Sequence, residues 1–117
     1  MCVDILRSYQ PAAAWLQSVQ GQLGLSPVVW LEVLDGARDA QAQREALKLL
    51  RRFVRVEQVA EDFDWAIESS LRFRLSHGVD MMDCLIASAS YRLKLTLFTA
   101  NLKHFKPLLG SLADKPY

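Results

Sequence analysis

The chain has 117 residues, 51% hydrophobic and 23% charged, with a formal net charge of +1. That size and apolar content fit one domain with a packed core and exclude a disordered or low-complexity chain. A near-neutral chain exerts no global pull on nucleic acid, so such a partner requires a local basic patch or a bound cation.

Cys2 and Cys84 have no Cys or His neighbour at metal-ligand spacing and form no disulfide framework. The longest apolar runs fall far short of the roughly 20 residues that span a bilayer. No signal peptide is evident, so the cytoplasm is the expected compartment.

The first predicted element is a helix over Gln10–Gln22, with Ala13, Leu16, Val19 and Leu23 at helical spacing and Pro11 in its first turn. Gly21 and Gly24 are expected to close it before a short strand over Leu23–Leu25. Ser26-Pro27 reads as an N-cap and a first-turn proline for a helix over Val28–Asp35 that stops at Gly36. Asp39 is expected to cap a third helix that turns Ala46, Leu49, Leu50 and Phe53 inward, and Val54-Arg55-Val56 alternates like a strand.

Glu61, Asp62 and Asp64 crowd the start of the next helix, where carboxylates suit the positive end of the macrodipole. Phe63, Ala66, Ile67 and Leu71 are its predicted buried stripe. Asp80 or Asp83 opens a fifth helix carrying Leu85, Ile86, Ala89 and Leu93, and Leu95–Thr99 is the strongest strand signal. Helices alternating with short strands predict an α/β fold with a parallel sheet between helical layers. Yet only about three strands stand among about five helices, and none precedes the first helix.

Two carboxylates stand out by context. Glu32 is the lone charge between Val28-Val29-Trp30-Leu31 and Val33-Leu34, and Asp83 lies between Met81-Met82 and Cys84-Leu85-Ile86-Ala87. A carboxylate in an apolar setting neutralises, pairs with a cation or binds metal. Oxygen donors without His or Cys nearby favour Mg²⁺ or Mn²⁺. Each residue also has a plainer reading: Glu32 as a solvent-facing helical position, and Asp80 and Asp83 as a cap and a first-turn acid.

Asp83-Cys84-Leu85-Ile86-Ala87-Ser88-Ala89 resembles the "D-x-L-I-A-x-A" helix start of PIN domains, VapC-type toxins above all. Leu97–Phe105 resembles their "T-x-N/D-x-x-H/D-F" strand and loop, and Ser26–Gly36 is similar to the exit of their second strand, where a glutamate precedes a small residue. Together these blocks run through nearly the whole chain in the family's order. The resemblance implies a three-layer α/β/α fold and a metal-dependent endoribonuclease of a toxin–antitoxin system. It assigns Glu32 and Asp83 to Mg²⁺ or Mn²⁺, Asn101 to a fourth acidic position that other members fill with Asn, and Thr99 to the hydroxyl at the strand end. RNA and an antitoxin protein are the implied partners.

The front of the chain departs from that pattern. Met1–Arg7 is similar to the stretch after the family's first strand, so Asp4 aligns with a later, non-catalytic acid. The first central strand and its metal-binding aspartate are then expected to lie before Met1. A sheet without that strand has open edges that attract another chain, so a homo-oligomer, a dimer in the simplest case, is expected. The loss of one carboxylate predicts weak metal binding and impaired cleavage. A degenerate, non-catalytic PIN domain acting as an interaction module is the alternative.

His77 and His104 read as structural or solvent-facing rather than catalytic. Arg44, Lys48, Arg51, Arg52 and Arg55 read as a solvated helix face, with contact to RNA phosphates the sharper alternative. Trp15, Trp30 and Trp65 read as core or interface aromatics.

Overall fold

The computed structural model of the chain describes residues 6–7 and 9–117. The readings placed on Cys2 and on Asp4 lie outside these residues. The described elements, in chain order, are α1 (Gln10–Ser18), β1 (Gly24–Leu25), α2 (Pro27–Asp35), α3 (Ala40–Leu50), β2 (Val54–Arg55), α4 (Ala60–His77), α5 (Met81–Leu93), β3 (Leu97–Phe98), α6 (Leu102–Leu109) and β4 (Ala113–Asp114). A 3₁₀ turn over Gly110–Leu112 joins α6 to β4. This is a mostly helical α/β fold with short parallel strands. Among the described residues the strands form two separate parallel pairs, β1 with β2 and β3 with β4.

The chain divides into two compact units, one of residues 1–56 with Tyr117 and one of residues 57–116. In the first, α1 ends at Ser18, earlier than the expected Gln22, because Val19 turns to an extended conformation. The helix buries Ala12 rather than Ala13, and Leu16 packs against the core of the unit. Ser26 caps α2 as its sequence predicts, its hydroxyl accepting from the Val28 N–H at 3.2 Å, with Pro27 at the first helical position. Asp39 caps α3 by accepting from the Ala42 N–H at 2.7 Å.

That cap sets the phase of α3, which buries Ala46, Leu49 and Leu50 and delivers Phe53 to the same core. Leu25, Leu49, Leu50 and Phe53 form this core, with Leu23, Val29, Trp30 and Val33 packed against it. β1 and β2 pair in register Gly24–Val54 and Leu25–Arg55. Gly24 permits that pairing, because a Cβ there would come within 2.7 Å of Val56 Cγ2. Of the aromatics read as core or interface groups, Trp30 packs against this core with the Arg55 guanidinium over its ring at 5.7 Å, while Trp15 meets Tyr117 edge-on at 6.5 Å.

The second unit is built on α4 and α5. Gly78, at φ +65°, ends α4 in the left-handed conformation that favours glycine. His77 is therefore the last helical residue. Asp80 settles the choice of cap for α5 by accepting from the Met82 N–H at 2.7 Å, which leaves Asp83 in the first turn. Ala66, Val79, Cys84, Ala87, Phe105, Leu108, Leu109 and Ala113 form the core of this unit.

The stripe expected to bury α4 is wrong in all but Ala66. Phe63, Ile67 and Leu71 are 50%, 57% and 81% exposed, while Asp62, Ser69 and Ser70 are buried with Ala66. The buried face is the one that can approach α5 closely through small side chains: Ser88, Ala87 and Ala89 on α5 are buried as well. Trp65 on the margin of that face stacks on Tyr91 at 5.0 Å. Two elements, α6 and β4, were not foreseen, and Pro107 lies inside the first of them.

Candidate active site

Asp83 is the site residue with the most distinctive surroundings. The cap made by Asp80 places it on the first turn of α5, its side chain 23% exposed. Burial, and then the charge of Asp80, push its carboxyl above the usual carboxylate range, and His104 pulls the other way. His104 Nδ1 stands 3.5 Å from Asp83 Oδ2. The histidine is carried on the first turn of α6, whose start is fixed by the Asn101 carbonyl accepting from the N–H groups of His104 and Phe105. Phe105, buried in the core of the unit, anchors that turn. His104, read from the sequence as structural or solvent-facing, is 41% exposed at its side chain and lies beside Asp83.

Thr99 and Asn101 follow the end of β3. The Thr99 N–H donates to the Asp114 carbonyl at 2.9 Å, tying the strand end to β4, and its hydroxyl accepts from the Asn101 N–H at 3.0 Å. Asn101 makes no side-chain cap for α6 and is exposed. The second unit therefore carries Asp83, His104, Thr99 and Asn101 on two neighbouring helix starts and one strand end. Glu32 belongs to the first unit, exposed on α2.

Cys84, next to Asp83, is a free and fully buried cysteine whose thiol is pushed up by burial and by Asp83 and Asp80. It serves the core and not chemistry. Among the described residues, no three His, Cys, Asp or Glu side chains group to hold a metal ion. The basic residues Arg44, Lys48, Arg51, Arg52 and Arg55 are all exposed.

A polar centre that sequence reading missed lies between α4 and α5. Asp62, 1% exposed, accepts from the Val59 N–H at 3.0 Å, from Gln58 Nε2 at 3.1 Å and from Arg92 Nε at 2.8 Å and Nη2 at 3.1 Å. Arg92 also donates to the Glu57 carbonyl, and Gln58 to the Ser88 hydroxyl. Burial alone would raise the Asp62 carboxyl, but these donors outweigh it and hold it below the usual range. The available signal was a capping box: an acid three residues after the N-cap reaches back to the cap's N–H.

The PIN domain family matches residues 4–106, most of the chain and both units. The chain belongs to the PIN domain family. Among solved structures, this PIN domain is similar to a chain of a toxin-antitoxin complex from Klebsiella pneumoniae, with 22% identity over 98% of this chain and 91% of that one, at a TM-score of 0.75. At that identity the likeness establishes the PIN fold. No curated protein matches the chain. Among the described residues, no helix is long and apolar enough to cross a membrane.

Proposed function

We propose that the chain folds as one PIN domain and is a divalent-metal-dependent endoribonuclease held in check by an antitoxin protein. The observation that carries the reading is Asp83: a half-buried carboxylate on a helix start, with His104 against it and Thr99 and Asn101 in the same unit. The family match and the likeness to a chain of a toxin-antitoxin complex support it.

The donor chemistry fits a hard cation. The family resemblance assigns Asp83 and Glu32 each to Mg²⁺ or Mn²⁺ and offers Asn101 as a neutral oxygen donor. Such an ion, when bound, activates a water and offsets charge on the scissile phosphate. The protein's own contribution is positioning: the Asp80 cap fixes the first turn of α5, and the Asp114 carbonyl holds Thr99 at the end of β3. His104 orients the Asp83 carboxylate.

The test is cleavage of unstructured RNA by the purified chain across a Mn²⁺ series, beside Mn²⁺ binding followed by electron paramagnetic resonance. EDTA-sensitive cleavage, reduced roughly 100-fold in Asp83→Asn and in Glu32→Gln, is expected. Cleavage that survives EDTA defeats the reading, as does the absence of both cleavage and Mn²⁺ binding.

A second reading, a non-catalytic PIN domain acting as an interaction module, draws on a different observation. α4 leaves a row of large apolar side chains in solvent. In that case the Asp83 and Glu32 substitutions leave partner binding unchanged.

A further inference from the structure

The charge of the chain is unevenly placed. Between Arg44 and Arg55 five cations, Arg44, Lys48, Arg51, Arg52 and Arg55, stand against one acid, Glu45, in a chain whose whole net charge is +1. All five are exposed, and all belong to the first unit. Arg44, Lys48, Arg51 and Arg52 recur at helical spacing on one face of α3 and the turn that ends it, over about 12 Å. Arg55 follows on β2.

Among the described residues no carboxylate pairs with any of the five. The contacts they make are neutral: Arg44 Nη2 donates to Gln41 Oε1 at 2.8 Å, and the Arg55 guanidinium lies over Trp30. Glu45 accepts instead from Gln41 Nε2 at 3.0 Å. Like charges held along one face repel one another, and a polyanion relieves that repulsion. At Arg52 the row meets a cavity of about 180 Å³, walled by Leu16, Val19, Leu23 and Phe53 and lined also by Gln22. Its size and apolar walls suit a single flat base, and Gln22 offers an amide donor and acceptor to the base edge. We propose that the row binds the sugar–phosphate backbone of a single-stranded nucleic acid, with one base seated in this cavity.

The composition of the face selects this occupant over an acidic protein. A protein interface is built around an apolar centre. Beyond Ala40, however, every exposed residue of α3 is polar or charged, and Ala46, Leu49 and Leu50 are turned into the core. Interfaces with nucleic acid are polar and positively charged instead. Four of the five cations are arginines, whose planar fork meets two phosphate oxygens at once. Four residues of helix advance about 6 Å, so Arg44, Lys48 and Arg52 present a regular ladder of charge to successive phosphates. A duplex keeps its bases paired and out of reach of the cavity, whereas a single strand can turn one out. The row works without metal or cleavage, so it stands apart from the nuclease reading.

Fluorescence anisotropy of a labelled oligouridylate with the full chain, across a salt series in EDTA, tests it. A dissociation constant of roughly 1–100 μM near physiological salt is expected, the range of sequence-independent binding. Affinity should fall with salt at a log–log slope of about 3.5 for five neutralised phosphates. Replacing Arg51 and Arg52 together by Ala should weaken binding at least about 10-fold and lower that slope by about 1.4, with an unchanged circular dichroism spectrum. Gln22→Ala and the cavity-filling Val19→Trp should each weaken binding about 5-fold or more and leave the slope alone. Oligothymidylate of equal length should bind about as well, because phosphates and not the 2′-hydroxyl are read. Absence of binding overturns the proposal, and so does a slope untouched by the arginine replacements. Polyglutamate that displaces the label as well as unlabelled oligouridylate does overturns it in favour of an acidic protein. An affinity indifferent to both Gln22→Ala and Val19→Trp overturns the base seat. Binding in EDTA by a chain that cleaves nothing in Mn²⁺ defeats the nuclease reading alone.

Discussion

Asp62 has four hydrogen-bond donors gathered on one buried carboxylate, and its removal should be felt well beyond α4. Asp62→Ala leaves Arg92, Gln58 and the Val59 N–H without their acceptor, a loss expected to cost roughly 2–3 kcal/mol in denaturant unfolding. The sign of the pH effect follows from the lowered carboxyl. A group whose folded pKa lies below its unfolded value of 3.8 stabilises the fold above that value, and the contribution fades as pH falls from there through the folded pKa. Asp62→Asn, which keeps the shape but not the charge, should therefore be less stable at neutral pH and flatter in its acid limb. Parallel acid limbs in the two proteins would remove Asp62 from the account. Little of this was legible in the sequence, where Asp62 is one of three acids in a row of helix-start residues. Its partner Arg92 lies 30 positions on, and only the packing of α4 on α5 joins them. Asp83 was legible, because an acid among Met, Cys, Leu and Ile is conspicuous without any structure. Its neighbour was not, since the 3.5 Å approach of His104 comes from the packing of α6 on α5.

At the scale of elements, local chemistry decided most boundaries. Ser26, Asp39 and Asp80 are each followed by the helix they announce. Replacing Asp39 or Asp80 by Ala should cost about 1 kcal/mol each by chemical denaturation, the usual worth of a capping side chain. Gly78→Ala should cost about as much, because the residue that ends α4 must adopt a positive φ. Gly24→Ala tests a different constraint. A methyl there meets the stiff, β-branched Val56 at 2.7 Å, so the β1–β2 pair must spread and stability must fall. An unchanged melting temperature would show that the pair gives way at no cost. Periodicity misled where the caps did not. Phe63, Ile67 and Leu71 have the spacing of a core stripe, and a sequence pattern cannot tell a face buried in its own domain from one left for another chain. The true buried face of α4 is small and polar, built from Ala66, Ser69, Ser70 and Asp62. β4 was invisible for another reason: two residues give no alternation to read, and they become a strand only by pairing with β3.

Across the whole molecule, the two units differ in what holds them, and that difference should appear in hydrogen exchange. The core of the first unit is Leu25, Leu49, Leu50 and Phe53, closed by partly buried side chains. The second combines eight buried residues with the Asp62–Arg92 centre that bolts α4 to α5. Amide protection follows the buried contacts that must break for a segment to open. The backbone amides of α4 and α5 are therefore expected to exchange most slowly, and those of α1 and α2 earlier and at lower opening free energy. Leu50→Ala deletes the fully buried centre of the first core, at roughly 2–5 kcal/mol. Below the denaturation midpoint it should accelerate exchange in α1, α2 and α3 more than in α4 and α5. Asp62→Ala should invert that order. If both variants speed exchange evenly along the chain, the units open as one cooperative body and the two cores have no separate energetic identity.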